Sequence, residues 1–197
     1  ILDTWIGKKQ PQTSVLNPFF DRFLMLTVAM VFGTWLFCLY FAVTAPTVSA
    51  SIEVAIACGL VMGFLGIATA HELVHRPEGP MKWLGFFTLW ILNYGHWGIE
   101  HVYGHHKNVA TISDPVSAKK NENIYIYLIR AISGSFLHSF EFEKKKSFLK
   151  NKVKLSMFVQ LIINVIVFVG FGTTGLIFHW VQSLVAVVLL EAVEYVE

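Results

Sequence analysis

The sequence predicts an all-α integral membrane protein, built of transmembrane helix hairpins with a histidine-rich metal site at their cytoplasmic end. Three observations predict it. Of the 197 residues, 55% are hydrophobic and only 14% are charged, and the mean hydropathy of +0.58 lies well above that of a soluble domain. The charges are segregated, since every Lys and Arg lies before Phe23 or between Arg76 and Lys154. Six of the eight histidines fall between His71 and His106. A net charge of +2 gives no strongly basic balance, and no nucleic-acid partner is expected.

One membrane domain is expected over residues 1–197. Ile1 to Asp21 is polar, contains Pro11, Asn17 and Pro18, and reads as a surface loop. Residues 23–43 carry no charge, and 21 residues of helix span roughly 30 Å, the thickness of a hydrocarbon core. A turn at TAPTVSAS leads into a second span, 52–70, whose Gly59, Gly63 and Gly66 allow close helix packing. This span runs directly into His71. Residues 83–99 are apolar but interrupted by Asn93, Tyr94, Gly95 and His96. Residues 107–154 are polar, with short amphipathic pieces around Ile124, Tyr127, Leu128 and Ala131, and hold the run EKKKSFLKNKVK. Spans 155–170 and 176–193 form a hairpin around GFGTTG. The connections at 44–53 and 170–175 have no Lys or Arg, so the positive-inside rule puts the N-terminal segment and 107–154 in the cytoplasm. The run 83–99 is then re-entrant or interfacial, because a full crossing would separate the two histidine clusters. Glu191, Glu194 and Glu197 come to the cytoplasmic end of the last span, near the histidines. Ile1 and Glu197 read as cut ends, so an internal fragment of a longer chain is expected.

HELVH, His71 to His75, matches the H-E-x-x-H pattern of a zinc protease helix, with Glu72 as general base. His71 and His75 are i and i+4, so a helix puts both imidazoles on one face. EHVYGHH repeats that spacing in His101 and His105, with His106 adjacent. A catalytic zinc takes three protein ligands and leaves histidines over. A two-metal site employs all five and asks for more, and two irons able to reduce oxygen fit it. Cys38 and Cys58 form no Cys-x-x-Cys, so the chain offers no iron–sulfur site of its own.

The string NYGHWGIEHVYGHHKNVATISDPVSA, preceded by TAHELVHR, resembles the integral-membrane alkane 1-monooxygenases of bacteria, relatives of the membrane fatty-acid desaturases. LLEAVEYVE is similar to a family segment that continues with His-Tyr-Gly. The resemblance implies a membrane-bound hydroxylase that converts the terminal carbon of n-alkanes to primary alcohols with O2. It implies two non-haem irons, with His71, His75, His101, His105 and His106 among the ligands. It further implies a third histidine box downstream, a rubredoxin-type electron donor fed by an NADH-dependent reductase, and a place in the bacterial inner membrane among lipid and hydrophobic substrate. Glu194 departs from the family, which usually has Asn there.

Three carboxylates are candidates for orienting the imidazoles: Glu72, Glu100 and Asp114. A helix cap or solvated carboxylate is the competing role for the two glutamates, and simple turn chemistry for Asp114–Pro115. His96, His138 and His179 lie off the ligand pattern and read as structural. A desaturase-like oxidase on similar boxes and an intramembrane zinc metalloprotease remain as alternative activities.

Overall fold

A computed structural model describes residues 18–196; the polar segment expected at the N-terminus falls, up to Asn17, outside them, as does Glu197. The regular structure among the described residues is helical, with α1 at Pro18–Thr44, α2 at Val48–Val74, α3 at Pro80–Ile91, α4 over 97–108, α5 at Ile124–Glu143 and α6 at Lys152–Val196. Three of these, α1, α2 and α6, are long and apolar enough to cross a membrane, and the protein is a membrane protein. Phe37, Phe64 and Val169 are among many large apolar side chains left on its surface, where lipid is the fitting solvent.

Helix α1 begins at Pro18, within the stretch read as loop. Proline at the first helical position sacrifices no intrahelical bond, and Asp21 in the first turn suits the positive end of the helix dipole. Asp21 also pairs with Arg76 at 3.3 Å, tying the start of α1 to the chain just after α2. At the other end, the Thr47 hydroxyl caps α2 by accepting from the Ala50 amide at 3.2 Å. The helix therefore starts four residues before the apolar run at 52–70. It continues through HELV, leaving His75 as its C-terminal cap.

Helices α2 and α6 approach closely at two glycines. A Cβ on Gly59 would lie 2.6 Å from Val185 Cβ, and one on Gly63 would lie 2.7 Å from Leu189 Cδ2. Only a hydrogen fits at either position. Helix α6 breaks at Gly172, whose φ of 66° suits glycine. Trp180 Nε1 donates to Asn164 Oδ1 at 2.6 Å. A straight helix would hold these residues about 24 Å apart, so the two arms of α6 lie side by side.

The run 83–99 is not one helix. Helix α3 ends at Ile91 and the chain turns through Asn93, whose φ is 53°. Irregular backbone inside an apolar bundle needs its polar groups satisfied by protein, and α6 supplies the partners. Gln182 Nε2 donates to the Ile91 carbonyl at 3.1 Å, and Asn164 Nδ2 donates to Asn93 Oδ1 at 2.8 Å. Asn93 Nδ2 donates to Ser183 Oγ at 3.2 Å and lies 3.1 Å from His179 Nε2.

Between Asn108 and Lys152 the sequence shows only short amphipathic pieces, whereas α5 runs for 20 residues. Its buried stripe is Tyr127, Ala131, Ser135, Ser139 and Glu143, at a spacing of four. Three of these five are polar, so hydrophobic periodicity fades after Ala131 while the helix goes on. Asn123 caps its start by accepting from the Tyr125 amide.

Candidate metal centre

The turn at Asn93 brings α4 back against the end of α2, and the two histidine clusters meet there. One nitrogen from each of His71, His75, His101 and His106 lies within 4.8 Å of the others. His106 Nε2 is 3.2 Å from His75 Nε2 and 3.1 Å from His101 Nε2. Nitrogens bound to one ion at 2.0–2.1 Å are separated by about 3.0 Å in octahedral and about 3.4 Å in tetrahedral geometry. These two spacings fall between those values, and the four imidazoles together form a group that could hold a metal ion.

The second cluster brings both later histidines to His101. Read as an α-helix, EHVYGHH places His101 and His105 on one face, and their rings do stack, with centroids 5.6 Å apart and planes at 15°. In the structure, His101–His105 is also a π-turn, whose i to i+5 hydrogen bonding brings residues five apart onto one side, and His106 joins His101 as well. Trp97 stacks on His101, with ring centroids 4.3 Å apart and planes at 19°, and fixes that ring's plane.

His105 meets carboxylates on two sides. Its Nδ1 lies 2.8 Å from Asp114 Oδ2, and its Nε2 lies 3.6 Å from Glu194 Oε2. Asp114 is buried and is itself fixed by the Ser117 hydroxyl and the Val116 amide. The loop that carries it is held by Arg130, which donates to the carbonyls of Pro115 and Ser117 and to both oxygens of Glu122. The paired guanidinium holds the Glu122 carboxyl down to about 2. Tyr127 and Tyr195 add hydroxyl donors to the carbonyls of Val116 and Glu122. The turn chemistry expected at Asp114–Pro115 is thus present, and Asp114 also serves a histidine.

The other two candidate carboxylates have other partners. Glu100 is fully buried, and its Oε1 lies 3.1 Å from His138 Nδ1. The same oxygen rests over Gly104, leaving no room for a Cβ there. Burial, followed by the nearby Asp114, Glu194 and Glu191, raises the Glu100 carboxyl to about 8. Glu72 turns outward to Arg76 at 3.3 Å, which is an ion pair at the helix end and not the posture of a general base.

Burial lowers His75 to about 4 and His101 to about 2, with the neighbouring imidazoles adding to the effect. Burial likewise lowers His106. Each ring is then neutral at physiological pH, the form that ligates metal. A second group, formed by His101, His105 and Glu194, also lies within 4.8 Å. Sequence spacing missed Glu194 as a candidate ligand. The available signal was its place one helical turn after Glu191 on a helix otherwise nearly free of charge.

A cavity of about 340 Å³ opens on the histidine group. Its walls include Phe64, Ile67, Ala68, Leu189 and Val193, and it reaches His71 and His101.

Residues 48–197 match the family described as fatty acid desaturase. The chain is 28% identical over its full length to alkane 1-monooxygenase 1 of Alcanivorax borkumensis, covering 52% of that protein. It is 31% identical to alkane 1-monooxygenase of Ectopseudomonas oleovorans over 87% of this chain and 45% of that one. It is 34% identical to alkane 1-monooxygenase 2 of Pseudomonas aeruginosa over 71% of this chain and 39% of that one. The chain thus spans about half or less of the length of these relatives.

Proposed function

The chain belongs to the fatty acid desaturase family, and on that premise we propose that it is part of a membrane-bound non-haem di-iron monooxygenase. Its reaction is hydroxylation of the terminal carbon of an n-alkane to the primary alcohol. The observation that carries this reading is the apolar cavity ending on His71 and His101. A hydrocarbon lying in it puts its end, with no polar handle, beside the metal-ligating nitrogens. The names of the relatives support the same substrate class.

In this reading His71, His75, His101 and His106 hold one iron, and His105 belongs to a second. Bound iron supplies the reductive activation of O2, in which two electrons and two protons are consumed, one oxygen atom enters the alcohol and the other leaves as water. The chain's own residues prepare the site. Burial favours the neutral form of His75, His101 and His106, Trp97 and Asp114 fix the rings of His101 and His105, and Ile67, Leu189 and Val193 exclude water from the C–H bond. Electrons come from a rubredoxin-type donor and its NADH-dependent reductase, since Cys38 and Cys58, the chain's two cysteines, form no Cys-x-x-Cys that could hold a redox cluster. The histidines face the cytoplasm of a bacterial inner membrane, residues 83–99 are re-entrant, and 107–154 lie on the cytoplasmic side.

The test is turnover by the full-length protein in membranes, with O2, NADH, reductase, rubredoxin and an n-alkane. Primary alcohol formation, with two irons per chain, is the expected result. An alkene product in its place would identify a desaturase, and one zinc with peptide cleavage would identify a protease.

A further inference from the structure

His105 and Glu194 face one another in a way that hydrogen bonding does not explain. Asp114 Oδ2 lies 2.8 Å from His105 Nδ1 and accepts its proton. The other nitrogen, Nε2, faces Glu194 Oε2 at 3.6 Å, beyond the range of a hydrogen bond. Both side chains are largely buried, and together with His101 they bring three ligating atoms within 4.8 Å of one another. His101 Nδ1, buried and without a hydrogen-bond partner among the described residues, lies 3.9 Å from the same carboxylate, at Oε1.

A cation between these atoms accounts for their approach. Ligand bonds of about 2.0–2.2 Å place an imidazole nitrogen and a carboxylate oxygen roughly 3–3.5 Å apart, close to the spacing observed. Asp114 then completes a carboxylate–histidine–metal arrangement, in which the outer carboxylate fixes the tautomer that the metal requires. We infer that His105 and Glu194 are ligands of the second metal position, so that this chain places a carboxylate directly on the metal centre alongside the imidazoles. The inference rests on the di-metal reading above and adds the ligand identity. A carboxylate neutralises one charge of a bound cation, which an imidazole does not.

The experiment uses the full-length protein loaded with 57Fe, with metal analysis and Mössbauer spectra of the reduced state. Wild type is expected to show two inequivalent iron sites. Glu194→Gln is expected to alter or lose one quadrupole doublet and leave the other unchanged, and His105→Ala to affect the same doublet. Should Glu194→Gln lose both irons, Glu194→Asp decides: recovery of both sites supports the assignment, and continued loss overturns it. Wild-type iron content and an unchanged spectrum in Glu194→Gln overturn the carboxylate ligand alone. A wild-type protein that loads no transition metal overturns the metal centre and this assignment with it.

Discussion

His106 Nε2 lies 3.2 Å from His75 Nε2, across 31 residues of chain. Two motifs that look like separate metal boxes therefore meet in one candidate site, and removing either partner should have the same consequence. His75→Ala and His106→Ala are each expected to cost the full-length protein one metal ion per chain. The double variant should lose no more than either single one, because residues that act as a unit are not additive. Elemental analysis of purified protein gives the answer.

In the proposed centre Asp114 would act on the metal only through His105. Asp114→Ala frees the imidazole to change tautomer and rotate, and loss of such a partner typically costs 10–100-fold in metal affinity or activity. Chelator competition should show a loss of about that size. An unchanged affinity would reduce Asp114 to its role in the turn with Ser117 and Val116.

Arg130 and Glu122 make the same loop sensitive to acid. The folded Glu122 carboxyl is held to about 2, below its ordinary 4.5. A depressed carboxylate stabilises the folded state above its unfolded value, and that contribution is lost as pH falls from 4.5 toward about 2. Protection factors for amide exchange in residues 115–123, taken relative to the intrinsic rate at each pH, should fall over this window in wild type. In Arg130→Met they should already be low at neutral pH and respond less to acid.

Gly59 and Gly63 set the distance between α2 and α6. Gly59→Ala would put a methyl group 2.7 Å from the Gln182 carbonyl oxygen and 2.6 Å from Val185 Cβ, so the helices must separate. Overpacking of this kind costs about 1–3 kcal/mol, measurable as a lower melting temperature in detergent. Gly33, with nothing within 4 Å of its Cβ position, is the control and should tolerate alanine.

Ala68 lines the cavity one turn before His71. Ala68→Phe should shorten the space available to an alkyl chain, reducing turnover of long alkanes more than short ones while the metal content stays constant. Competition between alkanes of two lengths measures this ratio directly. Equal loss for both would place the substrate elsewhere.

The sequence by itself determined the class of molecule and picked out the histidines that gather into a candidate metal site. Apolar runs of span length, segregated Lys and Arg, and histidines at spacings of four are local signals, and each survives being read in isolation. HELVH ends a membrane helix because its own apolar stretch runs into it. What those histidines do to one another was decided only in three dimensions. The π-turn at His101–His105 adds His106 to the His101–His105 pair that helical spacing gives. Glu72 goes to Arg76, Glu100 to His138, and Asp114 to His105. Glu194 reaches His105 from a helix some ninety residues downstream, and the turn at Asn93 exists because Asn164, Gln182 and Ser183 on α6 satisfy it. These contacts join polar residues distant in sequence. Such residues leave no periodic trace, and their partners become definite only when the bundle closes and an unpaired polar group becomes costly.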